Sequence, residues 1–277
     1  MRPAEQKKDS WHIYDIAFYT RTLIDVGVRS EDIIFLIDYP DPLILKEAFS
    51  TFQLTVPSAI RPVSDYHNIL STNTYDNVAI FITGHGGIDG FDTKISLKPF
   101  DFYEAIKKAP LLKQAVVYFG QCDAGIYNYI SLDTSGYEYN KSKIVAIGAA
   151  GLHSSLSSSK ITNLWAANVF LGYIFHWISN PIDVEGDNKY TVMDSYKYAT
   201  IRTSSICKEI ENEELLRSAN YKTQLAYLYE KLKEKKTPTE DELLQMKALK
   251  EKLDSSISFD QIPWILNALP ALDLEIK

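Results

Sequence analysis

Two uninterrupted apolar runs, at 78–83 and 115–119, constrain this chain more than anything else in it. Each is of strand length and rich in β-branched and aromatic residues. Neither alternates with polar residues, as a strand covered on both faces of a parallel sheet would not. Between them, Phe102, Ala105, Ile106 and Ala109 recur at helical spacing within 98–109. The unit is therefore strand, helix, parallel strand, because parallel neighbours need a crossover of this length. Gly84-His85-Gly86-Gly87 follows the first strand and Gln121-Cys122-Asp123-Ala124-Gly125 follows the second. Residues just past the carboxyl ends of neighbouring parallel strands face one crevice, so His85 and Cys122 are expected at the same rim.

That pairing has a chemical meaning. A thiolate is a nucleophile, and a nearby imidazole takes the thiol proton and later protonates a leaving amine. Glycines beside His85 let the backbone approach a ligand, and the N–H groups of Gly86 and Cys122 are the natural donors to an oxyanion. Taken singly, Cys122 is a core thiol and His85 a loop histidine. Together, on consecutive strands of one unit, they read as a catalytic pair. A metal site needs more ligands than these two, and His153 is the only loose third.

These residues resemble the motifs of the caspase–legumain clan of cysteine peptidases. Gly84-His85-Gly86-Gly87 matches the histidine motif, close to the glycosylphosphatidylinositol transamidase form. Gln121-Cys122-Asp123-Ala124-Gly125 is similar to the cysteine motif, although caspases place Ala between Gln and Cys. The resemblance covers about residues 11–205. It implies a three-layer α/β/α fold with a mostly parallel central sheet. It also implies His85 as general base and acid, Cys122 as nucleophile, and Gly86 and Cys122 as oxyanion donors.

Further along, 144–148 is another buried strand, followed by Ala149-Ala150-Gly151-Leu152-His153-Ser154-Ser155. This is similar to the legumain pattern of Ala-Ala followed by Ser-Ser, with a shorter spacer. By that resemblance the backbone at Ala149 and Ala150 pairs with substrate as an added strand, and Ser154 and Ser155 line the first specificity pocket. Read without it, the segment is a serine-rich linker. The polar, tyrosine-rich stretch 126–142 reads as a surface loop; in the clan such a loop borders the cleft and is often cut on activation.

Before the histidine strand, 11–26 is an amphipathic helix stopped by Gly27, and 33–37 is a buried strand. In the legumain pattern a further strand precedes this helix. It is expected upstream of Met1, or the sheet is completed another way. The clan's basic specificity group falls near residues 1–12, where Arg2 and His12 are the loose candidates.

Residues 161–178 form an apolar helix, and His176 on it reads as a core or boundary histidine. Asp183, Glu185 and Asp187 open a stretch reaching Thr191 and Asp194 with calcium-loop spacing. Asn188 stands at the sixth place instead of Gly, and Asp194 at the twelfth instead of Glu, so a loop that caps the following helix is the favoured reading over calcium. No other cofactor is indicated.

From 208 the chain becomes charged and helical, breaks at Thr237-Pro238-Thr239 and resumes with a helix-start signature. We expect a peptidase domain over 1–207 and a helical extension over 208–277, including a helical hairpin at 208–254. That hairpin is either a packing appendage or a partner-binding module.

A formal charge of −7 without a basic cluster argues against nucleic acid as a partner. Two cysteines give no disulfide framework. No membrane span or secretory leader is visible, so a soluble protein is the expectation; its compartment stays open, with the cytoplasm slightly favoured. The functional expectation is a cysteine endopeptidase acting on protein or peptide. A transamidase would use the same pair, and a non-catalytic interaction protein of caspase-like fold is the alternative.

Overall fold

The computed structural model describes residues 3–38, 41–94, 97–129, 143–155, 168–233, 238–239, 241–246 and 263–275. The chain divides into two compact units, one of residues 1–203 with 261–277 and one of 204–260. This division differs from the expected one, 1–207 and 208–277, in that residues 261–277 belong with the first unit. The last residues return to the sheet of the first unit.

In chain order the elements are α1 (Pro3–Asp25), β1 (Phe35–Leu36), α2 (Pro42–Thr51), β2 (Ile60–Arg61) and α3 (Tyr66–Ser71). Then come β3 (Asn77–Ile82), β4 (Gly86–Gly87), β5 (Gly90–Phe91), α4 (Pro99–Lys107) and β6 (Gln114–Phe119). The series ends with β7 (Lys143–Gly148), α5 (Val169–Ser179), α6 (Val192–Lys233) and β8 (Trp264–Leu266). Helix α1 closes as its sequence foretells: Gly27 takes φ +100°, its N–H donates to Ile24 O, and the Val28 N–H donates to Leu23 O. Those are the paired bonds of a glycine-terminated helix.

The main sheet has the order β3-β6-β7-β8, parallel throughout except for β8, which runs antiparallel to β7. Its two faces carry separate cores, as the two-residue period of a strand requires. Val116 and Tyr118 of β6, with Val145 and Ile147 of β7, pack against Phe170, Leu171, Ile174 and Trp177 of α5 and its approach. Ala115, Val117 and Phe119, with Ile144 and Ala146, pack against Phe102, Tyr103 and Ile106 of α4. The protein is thus mixed α/β, with a mostly parallel sheet between helical layers. A third cluster joins Ala17 of α1 to Ile37 and to Leu45, Ala48 and Phe49 of α2.

The sheet's edges differ. β6 and β7 are almost wholly buried, whereas β3 alternates between exposed and half-buried until Ile82. Among the described residues β3 pairs only with β6, and β1 pairs with β2 as a separate two-stranded piece. The expected strand at 33–37 is reduced to Phe35–Leu36 and lies outside the main sheet. The Asn77 to Ile82 strand is its first member.

In the second unit α6 continues without a break from residue 192, so the expected separation between a short helix and a charged one at 208 does not occur. Residues 241–246 are helical. Their capping box forms as its residues suggest: the Thr239 N–H donates to Glu242 Oε2 at 3.0 Å and the Glu242 N–H to Thr239 Oγ1 at 3.3 Å. Of the surface loop expected at 126–142, residues 126–129 instead complete a short helical turn (Ala124–Tyr129) that buries Tyr127; 130–142, the start of the helix at 161–167 and the end of the hairpin at 247–254 lie outside the described residues. Among the described residues, no helix is long and apolar enough to cross a membrane.

Candidate active site

Register brings the two loops together. Ile82 and Phe119 are partners at the last position of the β3–β6 ladder, and the Gly120 N–H donates to Ile82 O at 2.9 Å. His85 and Cys122 each follow three residues later, at the same sheet edge. The loops close tightly where Gly86 meets the Cys122 carbonyl and the Gln121 side chain: a Cβ on Gly86 would collide with both. Glycine is required there by close approach, since its φ is unexceptional. Gly84 is needed for a similar reason, with the Phe91 ring 2.5 Å from where its Cβ would stand.

His85 is exposed and Cys122 half-buried. The imidazole loop is folded into the hairpin β4–β5, where the Asp92 N–H donates to His85 O at 3.0 Å. Tyr127 braces this hairpin from below. It accepts from the Phe91 N–H at 3.1 Å and donates a short bond to Leu97 O, and burial raises its phenol pKa above the usual range. Beyond the hairpin, Phe91 and Leu97 form a single antiparallel bridge.

The thiol loop is held by backbone bonds. Asp123 adopts φ +52°, a left-handed conformation that aspartate tolerates, and its N–H donates to His153 O at 2.9 Å. The Gly125 N–H donates to Gly151 O at 3.1 Å. The Ser155 N–H points at the Cys122 sulfur, 3.4 Å away, and the Ser155 hydroxyl oxygen lies 3.9 Å from it. Asn168 joins this arrangement from the start of α5. Its Oδ1 caps the helix by accepting from the Leu171 N–H at 2.8 Å, and its Nδ2 donates to Gly120 O and, at 3.3 Å, to Ser155 Oγ.

The four residues expected to bind substrate divide. Ser155 sits against the thiol itself, and Ser154 is exposed with its carbonyl accepting from His153. Ala149 and Ala150 are fully buried. The Ala149 N–H donates to Phe119 O at 2.8 Å, and Ala150 O accepts from the Trp264 indole N–H at 2.8 Å. The first of these bonds continues the ladder towards β6, and the second engages the Ala150 carbonyl, one of the groups expected to meet substrate. β8 already occupies the β7 edge up to Gly148, and the Trp264 indole fills the space a side chain at 148 would need.

His153 is not placed as a ligand. Its Nε2 accepts from the Gly151 N–H at 3.2 Å, so Nδ1 carries the proton and donates to Ser154 O at 3.0 Å. His176 pairs with the Tyr198 hydroxyl at 2.9 Å and stacks on its ring, a boundary role as expected. Cys207 is buried, and neither it nor Cys122 is in a disulfide.

At the calcium-like loop the acidic groups face protein donors. Asp183 accepts from the N–H groups of Gly186, Asp187 and Asn188, and these bonds, Asn188's first, hold its pKa below the ordinary carboxylate value. Asn188 takes the left-handed φ of +65° at the place where a calcium loop has glycine. Glu185 pairs with Lys197 at 2.7 Å. The buried Asp194 accepts from Val184, Glu185 and Thr191. Asp183, Glu185 and Asp187 thus belong to a loop that ties down the start of α6. No group of three metal-ligating side chains converges among the described residues.

One cluster escaped the sequence reading. His12, offered there as a specificity group, lies instead against His85, their ring centroids 5.1 Å apart and nearly perpendicular. Behind it stand Thr83 and the fully buried Asp15. The available signal was an aspartate in helical phase with buried Tyr19 and Thr22, on the inner face of α1. Arg2 lies outside the described residues.

No protein-family model and no curated protein matches this chain.

Proposed function

We propose that this protein is a cysteine endopeptidase of the caspase–legumain kind, with Cys122 as nucleophile and His85 as general base and acid. The observation that carries the reading is the closure of the two loops: Gly86 packs against the Cys122 carbonyl at the ends of adjacent parallel strands. An exposed imidazole and a half-buried thiol therefore share one rim. The parallel β3-β6-β7 order with an antiparallel β8 beside it, between two helical layers, supports a caspase-like fold.

The chemistry runs in two stages. His85 takes the Cys122 proton as sulfur attacks the scissile carbonyl carbon, forming the S–C bond. The negative oxygen of the tetrahedral intermediate is received by the N–H groups of Gly86 and Cys122. As the C–N bond breaks, the proton on His85 passes to the leaving amine, leaving an acyl-enzyme. Water then attacks the thioester carbon, giving its proton to His85, which returns it to sulfur as the acid leaves. An amine in place of water would make the same site a transamidase. The substrate is a protein or peptide, received at Ser154 and Ser155.

Cys122→Ala should abolish hydrolysis of a diverse peptide library and labelling by a peptidyl electrophile, with the circular dichroism spectrum unchanged. Labelling that persists in this variant would refute the assignment.

A further inference from the structure

We propose that His12, Thr83 and Asp15 are positioning residues that hold the His85 imidazole towards Cys122, an inference that rests on the reading of His85 and Cys122 as a catalytic pair. The protons along this series can be assigned from the bonds alone. Thr83 Oγ1 lies 3.0 Å from Asp15 Oδ2 and 3.0 Å from His12 Nδ1. A carboxylate only accepts, so the single hydroxyl proton of Thr83 is committed to Asp15. Towards His12 the hydroxyl must then accept, and His12 Nδ1 carries its proton. The His12 ring is thereby fixed in both orientation and tautomer, and its near-perpendicular contact fixes one side of the His85 ring.

The anchor of the series is deep. Asp15 is fully buried, and its Oδ2 also accepts from the Asn168 N–H at 3.1 Å. Its negative charge, after burial, is the second cause raising the pKa of Tyr19 well above the usual phenol value. His12 and Asp15 stand three residues apart on α1, on one helix face, so a single rigid element carries both ends of the series. Asn168 reaches on through Nδ2 to Ser155 Oγ, beside the sulfur. One buried carboxylate therefore ties the support of the imidazole to the support of the thiol.

Such a need follows from where His85 sits. It follows β3, the half-exposed strand with one partner among the described residues, and is itself exposed. A general base displaced by about 1 Å loses on the order of a hundredfold in rate, so a histidine so placed needs lateral support.

The test uses the full chain and iodoacetamide, reading the rate of alkylation at Cys122 by peptide mass at neutral pH. Wild type and His85→Ala set the two limits. Thr83→Val is isosteric and lacks the hydroxyl; it should slow alkylation by about tenfold or more towards the His85→Ala limit. Thr83→Ser should restore the wild-type rate together with the wild-type thermal midpoint. His12→Phe keeps a ring against His85 but loses Nδ1, and should also be slow; it decides the matter if Thr83→Val does not fold. Equal rates for wild type and His85→Ala would sink the catalytic pair itself. A slow His85→Ala beside wild-type rates for Thr83→Val and His12→Phe would leave the pair standing and overturn the positioning role, as would a Thr83→Ser variant as slow as Thr83→Val.

Discussion

The imidazole and the thiol reach the same rim by opposite means. Cys122 leaves β6, a strand with neighbours on both sides and five of its six residues buried. Its loop is fixed by main-chain bonds from Asp123 and Gly125 to His153 and Gly151. His85 leaves β3, which has a single partner strand among the described residues and only one buried residue, Ile82. Its loop makes one main-chain bond of its own, from the Asp92 N–H to His85 O, and side chains supply most of the rest: Thr83, His12 and Asp15, with Phe91 and Tyr127. Backbone support is shared with the core, so disturbing it costs stability. Side-chain support is local, so disturbing it costs orientation. Substitutions on the cysteine flank should therefore appear mainly as loss of fold, and those on the histidine flank mainly as loss of rate.

The strongest test of the cysteine flank is Trp264→Ala. Trp264 is 8% exposed, packs on Phe119 and donates to Ala150 O, holding the segment that meets the thiol loop. Truncating it leaves a cavity and an orphaned carbonyl, and should cost about 3–5 kcal/mol in urea unfolding of the full chain. A loss under about 1 kcal/mol would mean that β8 does not hold this flank, and the contrast would fail on its firmer side.

Gly86→Ala probes the seam between the flanks. The added methyl meets the Cys122 carbonyl and the Gln121 side chain, so backbone must shift. Overpacking of this sort costs about 1–3 kcal/mol. The loops separate by a distance to which rate is far more sensitive, so Cys122 alkylation or peptide turnover should fall on the order of a hundredfold. Wild-type rates in a folded Gly86→Ala protein would show that the close approach is incidental.

How much of this was legible follows the same division. The β3–α4–β6 unit could be read because its signals are local: continuous apolar runs, a helical period and flanking glycines. The strands observed, Asn77–Ile82 and Gln114–Phe119, differ from those runs by a residue or so. Gly27 and the Thr239–Glu242 box were equally legible, since each acts within a few residues. β8 was not. Three residues after Pro263 carry no periodicity, and their partners Ala146 to Gly148 lie more than a hundred positions earlier. The continuity of α6 was missed because composition changes at 208, although no Gly or Pro interrupts 192–233. Asp15 was hidden most thoroughly. Its meaning depends on Thr83 and Asn168, which only the folded chain brings to it.

The smallest effect falls on Gln121, which lies between the flanks. It is 1% exposed, and neither its amide oxygen nor its nitrogen finds a partner among the described residues. A buried amide without partners carries a desolvation penalty, whereas an apolar group of similar shape does not. Its Cβ and Cγ are what Gly86 rests against, and methionine supplies both atoms. Gln121→Met should therefore keep the loops in place and leave alkylation of Cys122 within about twofold of wild type, while unfolding moves by less than about 1 kcal/mol, towards greater stability. Destabilisation beyond that would mean the amide is bonded in solution. The seam would then be held by a polar side chain as well as by close packing, and the division between a backbone-held thiol and a side-chain-held imidazole would lose its sharpness.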